Sequence, residues 1–141
     1  MTLANRGKAS EKIVEAIFKK WNNQMDFSWH RFPDSRSARG ALAAQPGDFL
    51  YFCKSRAGVV EVKHTEHAYR VAKDKISQLM VLKKFAQAGA SSLILIHHGL
   101  KNVWRVLDPL SLASDVPSWD LREFPCYPDA ETALLSSNYF N

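Results

Sequence analysis

Pro46-Gly47-Asp48-Phe49-Leu50-Tyr51-Phe52-Cys53 and Gly58-Val59-Val60-Glu61-Val62-Lys63-His64, joined by a short polar link, govern the architecture of this chain. Both segments are rich in β-branched and aromatic residues, and Ser55-Arg56-Ala57-Gly58 between them reads as a hairpin turn. Two antiparallel strands follow, at 48–53 and 58–64. Side chains alternate faces along a strand, so Glu61 and Lys63 point one way while Val60 and Val62 point the other. Charges on a strand that is otherwise apolar need a partner or solvent. With Asp48 opening the neighbouring strand, the hairpin brings its carboxylate toward Glu61, and two acids and a lysine converge.

Outward from this hairpin the pattern changes period. Ile13, Ile17 and Trp21, with Val14 and Phe18 beside them, predict an amphipathic helix over 10–21 with Ser10 as its cap. Residues 25–32 read as an aromatic strand, and 33–40 as a loop of turn formers and arginines. A second helix is expected over 71–88, burying Ile76, Leu79, Met80 and Leu82 and ending at Gly89. Strands are expected at 92–97 and 102–107; residues 108–141 show little period. The order α-β-β-β-α-β-β predicts an α/β fold, a mixed central β-sheet flanked by helices. A single domain over 1–141 is expected, with its core at about 5–107 and a C-terminal extension at 108–141.

The 141 residues are 46% hydrophobic and 23% charged, as in globular proteins. No apolar run approaches the ~18 residues of a membrane span, and 1–12 lacks the apolar core of a secretory signal. Cys53 and Cys126 are too few for a disulfide scaffold. A reduced, cytoplasmic setting is the expectation, the host cytoplasm if the gene is phage-borne. The net charge of +5 suits an acidic partner.

Asp48, Glu61 and Lys63 together suit phosphodiester hydrolysis. Carboxylate oxygens suit Mg²⁺, with Mn²⁺ as substitute, and the ion keeps waters and takes phosphate oxygens as further ligands. The backbone carbonyl of Val62 is a further candidate ligand. Lys63 would orient or deprotonate the attacking water, or screen the charge that develops at phosphorus. The bland alternative is a Glu–Lys pair on a solvated sheet face, worth little stability. Arg31, Arg36 and Arg39 crowd one segment and would grip phosphates. Lys75 and Gln78, three apart on the second expected helix, would share a face near Lys63. His64 and His67, or His97 and His98, lack a third ligand at zinc spacing; His64 is instead a candidate phosphate contact. The aromatics from Trp104 to Phe140 read as packing or subunit interface rather than base-stacking platforms.

Asn5-Arg6-Gly7-Lys8 with Glu11, then Pro46-Gly47-Asp48, Glu61-Val62-Lys63 and Gln78, resemble in order and spacing the RecU-type Holliday junction resolvases and their archaeal counterparts. These belong to the PD-(D/E)xK nuclease superfamily, with a restriction-endonuclease-like core. The resemblance runs from about Asn5 to Leu107. It implies a Mg²⁺-dependent homodimer that cuts four-way DNA junctions by paired nicks. It further implies that Glu11 joins Asp48 and Glu61 at the metal, directly or through water, and that Gln78 sits by the catalytic lysine. Ser35 or Ser37 would help position phosphate. The residues expected to contact branched DNA are Arg6, Lys8, Arg31, Ser35, Arg36, Arg39, His64 and Lys75. Two alternatives stand beside this reading: a related nuclease cutting flaps, nicks or duplex DNA, and a non-catalytic DNA-binding module on the same fold.

Overall fold

A computed structural model describes residues 2–33 and 45–141. Ser35, Arg36, Ser37 and Arg39 lie outside the described residues.

Helix α1 spans Leu3–Trp21, and the Thr2 hydroxyl accepts from the Asn5 N–H as its N-cap. It therefore starts well before Ser10, whose side chain is buried instead of capping. The polar first turns hide the helix from an apolar-periodicity reading. Its buried stripe is Val14, Phe18 and Trp21, one position round from the expected one, and Ile13 is exposed. Phe18 explains the rotation: its ring meets Trp21, Phe27, Trp29 and Phe49, so the helix turns to bury its aromatics. Burial stabilises each such ring by roughly 1.5–3 kcal/mol.

Strands β1 (Phe27–Arg31), β2 (Phe49–Cys53) and β3 (Arg56–Thr65) form an antiparallel meander. Its second turn is tighter than expected. Lys54 and Ser55, both at positive φ, close it, and Arg56–Gly58 already belong to β3. Two positive-φ residues match the right-handed strand twist as a two-residue hairpin requires.

Beyond β3 the expected long helix over 71–88 breaks into three pieces: β4 (Arg70–Ala72), a 3₁₀ turn (Lys73–Lys75) and α2 (Leu79–Gln87). Val71 pairs with Trp119 of a later strand, β7 (Ser118–Asp120), and that tertiary contact overrides local helix propensity. On α2, Leu79 and Leu82 face inward, while Met80 is 67% exposed, contrary to expectation. Gly89 follows the helix at φ 107°, the conformation that favours glycine at its end.

Strands β5 (Leu93–His98) and β6 (Val103–Leu107) complete the core, with β5 parallel to β3. The sheet order is β1-β2-β3-β5-β6-β8, where β8 is Cys126–Tyr127. Helix α3 (Ala130–Ser136) follows. Residues 108–141 thus carry more regular structure than their sequence announces. Val60, Val62, Phe49 and Tyr51 pack on one face with α1 and α3 residues. Val59, Ile94 and Ile96 pack on the other with Leu79 and Leu82 of α2. The result is a mixed α/β fold with helices on both sides of the sheet. Trp104, Trp119 and Phe140 are buried in these two cores, as packing residues.

Candidate active site

Strand β3 outruns β2, and the site forms where they part. Paired register ends at Phe49–Val60, followed by one more bond from the Asp48 N–H to the Val60 carbonyl, 3.0 Å. The next β3 donor, the Val62 N–H, finds a side chain instead of a backbone: Asp48 Oδ2 accepts it at 2.7 Å. The N–H and C=O of a strand residue point to the same side, so the Val62 carbonyl also faces this opening. Gly47 is required here. A Cβ on it would lie 2.3 Å from Val59 Cγ1 and 3.4 Å from Glu61 Oε2.

Glu61 is 1% exposed, and Lys63 Nζ lies 2.9 Å from its Oε1. Its other oxygen, Oε2, is buried with no hydrogen-bond partner among the described residues. A buried, unpaired carboxylate oxygen is costly, and a bound cation is one way to satisfy it. Burial raises the Glu61 pKa, opposed by Lys63 and reinforced by Glu11. Asp48 is pushed up to about 9, first by burial, then by the negative charges of Glu61 and Glu11, against the lowering effect of the Val62 N–H. The Glu11 charge reaches Asp48 from α1, so the helix brings a third carboxylate to this end of the sheet.

This is an acidic centre short of positive charge. The donor set fits a small hard cation: it offers an orphaned oxygen of Glu61, the Asp48 carboxylate and the Val62 carbonyl. Among the described residues no group of three His, Cys, Asp or Glu side chains forms a ready metal cage. Mg²⁺ needs none, since it is commonly bound through one or two carboxylates plus water and substrate phosphate.

The remaining candidates are scattered. Gln78 stands at the N-cap of α2, where its Oε1 accepts from Ser77 Oγ at 3.1 Å. Lys75 lies exposed on the 3₁₀ turn, so the helical face it was expected to share with Gln78 does not exist. Lys8 is exposed on α1. Arg6 Nη1 meets Glu66 Oε1 at 2.9 Å. His64, on the opposite face from Lys63, points under α1 rather than outward as a phosphate contact would. Its Nδ1 is 3.1 Å from Ser10 Oγ and its Nε2 is 2.8 Å from Glu66 Oε1. Ser10 Oγ also meets His97 Nδ1 at 2.9 Å, and His97 stacks on Trp104. Burial holds the His97 pKa below its ordinary value.

Arg31 corrects the sequence reading most. It ends β1, within the expected strand, and its guanidinium, expected to grip phosphate, is forked between two α1 carboxylates. Nη2 lies 3.0 Å from Glu11 Oε2, and Nη1 lies 3.1 Å from Glu15 Oε2. Glu15 is thus an ion-pair partner on the same helix as Glu11. A sequence clue existed: Phe27, Trp29 and Arg31 alternate onto one face of β1, the one turned toward α1.

No family model matches the chain, and a search of curated proteins finds no relative. Among described residues no helix is long and apolar enough to cross a membrane. Among solved structures the chain is similar to Archaeoglobus fulgidus Hjc, a Holliday junction resolvase from an archaeal hyperthermophile. The TM-score is 0.52 at 13% identity, over 82% of this chain and 91% of that one. What the two share is the fold: a mixed sheet flanked by helices.

Proposed function

We propose that the chain is a metal-dependent, structure-specific DNA endonuclease of the PD-(D/E)xK class, resolving four-way junctions as a homodimer. The observation that carries this reading is the junction of β2 and β3. There Asp48, the Oε2 of Glu61, unpaired among the described residues, and the Lys63 ammonium gather around the side of β3 that β2 has left. The fold shared with a Holliday junction resolvase supports the same class.

In this reading Asp48, Glu61 and the Val62 carbonyl hold Mg²⁺, with Glu11 assisting directly or through water. When bound, the ion neutralises charge on the phosphoryl oxygens and acidifies a water. Lys63, fixed by Glu61 Oε1, orients that water and screens the charge developing at phosphorus. Lys8 and Lys75, exposed and cationic, are candidates for backbone phosphates, contacts that position DNA without reading its sequence. Opposed nicks need two active sites, which a twofold pair of chains supplies.

A panel of four-way junction, flap, nicked duplex, linear duplex and single strand, with Mg²⁺ or EDTA, tests the reading. Metal-dependent paired nicks on the junction are the expected outcome. Preference for flaps or duplex would keep the nuclease and move its substrate. Tight junction binding without cleavage in Mg²⁺ or Mn²⁺ would leave a binding module. Lys63→Met is expected to lower kcat by about 10²–10⁴-fold with junction affinity in EDTA nearly unchanged. Full activity in that variant would remove Lys63 from the chemistry.

A further inference from the structure

Resting on the nuclease reading, we propose that Arg31 is a positioning residue for the acidic centre. Its guanidinium clamps Glu11 and Glu15 and so fixes the Glu11 carboxylate beside Asp48, instead of contacting DNA phosphate. Three features carry this. Both Nη atoms are engaged at salt-bridge distance by carboxylates from successive turns of one helix. The guanidinium also lies over the Phe49 ring, 5.7 Å from its centroid, which limits its swing. Finally, Arg31 pairs in register with Phe49, and the Phe32 N–H donates to the Asp48 carbonyl, 2.9 Å. The clamp and Asp48 are therefore anchored on the same pair of strands.

Glu11 sits three residues before Val14 and Glu15 three before Phe18, so both border the buried stripe of α1 and are only about one-fifth exposed. Without a cation between them, two part-buried carboxylates would repel each other and Asp48 alike. An arginine spans both because its donors form a rigid planar fork; a lysine carries the same charge but not the fork.

Arg31→Lys therefore separates geometry from charge. Ca²⁺ affinity is measured by calorimetry, junction binding in EDTA by fluorescence anisotropy, and cleavage in Mg²⁺. The expected result is Ca²⁺ binding and kcat each reduced about 10-fold, as for other residues that orient metal ligands, with junction binding in EDTA within 2-fold of the unsubstituted protein. Because the clamp acts through Glu11, Arg31→Lys should add nothing further when placed on Glu11→Gln. Junction affinity lost in EDTA with Ca²⁺ affinity intact would make Arg31 a phosphate contact and overturn the clamp. So would full additivity with Glu11→Gln, or a lysine variant indistinguishable from the parent. If Arg31→Lys does not fold, Glu15→Gln, which weakens the same fork, is expected to lower Ca²⁺ affinity in the same direction, and no change there would also overturn it. An unsubstituted protein that binds no Ca²⁺ and cuts nothing would fail at the nuclease reading itself, and the clamp with it.

Discussion

Asp48→Asn is expected to abolish junction cleavage, by about 10³-fold or more, while stabilising the metal-free protein at alkaline pH. The first effect follows from losing a charged oxygen ligand where the ion's charge stabilisation is worth several kcal/mol. The second follows from linkage. Asp48 is pushed up to about 9 in the folded chain by burial and by Glu61 and Glu11, against an ordinary value near ~3.9 when unfolded. A raised folded pKa favours the fold fully below pH ~4, and that contribution is lost as pH rises through about 9. The unsubstituted protein in EDTA should accordingly lose melting temperature between these limits. The asparagine variant, with no charge to bury, should lose less and melt on the order of 5 °C higher at pH 8. Mg²⁺ should raise the parent's melting temperature at pH 8 and leave the variant's unchanged. Melting curves in EDTA and in Mg²⁺ at pH 5 and pH 8 check all of this. A variant that cuts normally, or melts lower than the parent at pH 8 in EDTA, would contradict the site.

Phe140→Ala is expected to cost about 3–5 kcal/mol, a large share of the ~5–15 kcal/mol that holds a domain folded. Phe140 is second to last in the chain, yet only 7% exposed. Its ring centroid lies 4.4 Å from that of Tyr51, 5.3 Å from Trp21 and 6.0 Å from Phe18. It thereby seals the interface between α1 and the sheet. Removing everything from residue 108 onward would also take Ala130, Ala133 and Leu134 from the same core, and β8 from the edge of the sheet. That truncation should abolish cooperative melting and near-ultraviolet circular dichroism. A truncated chain that still melts cooperatively and binds junctions would mark the tail as an appendage.

The pairing of β2 with β3, and the presence of Glu61 and Lys63 on one face, could be read from residues close together in the chain. Strand alternation is a local property, and the turn between them is only two residues long. The α/β class followed from the order of helical and alternating periods. The register of α1 did not, because Ile13, Val14, Ile17 and Phe18 are all apolar and periodicity alone cannot say which pair faces inward; aromatic partners on β1, β2 and the C-terminal segment decide it. Val71 likewise suits a helix until Trp119, 48 residues on, offers it a strand. At the site, sequence supplied the ligand types, the hard oxygens and the ammonium. Only the tertiary structure set Asp48 on the Val62 N–H, left one oxygen of Glu61 without a partner among the described residues, and placed Arg31 between two glutamates. Local patterns fix which face a side chain takes, whereas the charge it meets there depends on elements that docking brings together across long stretches of chain.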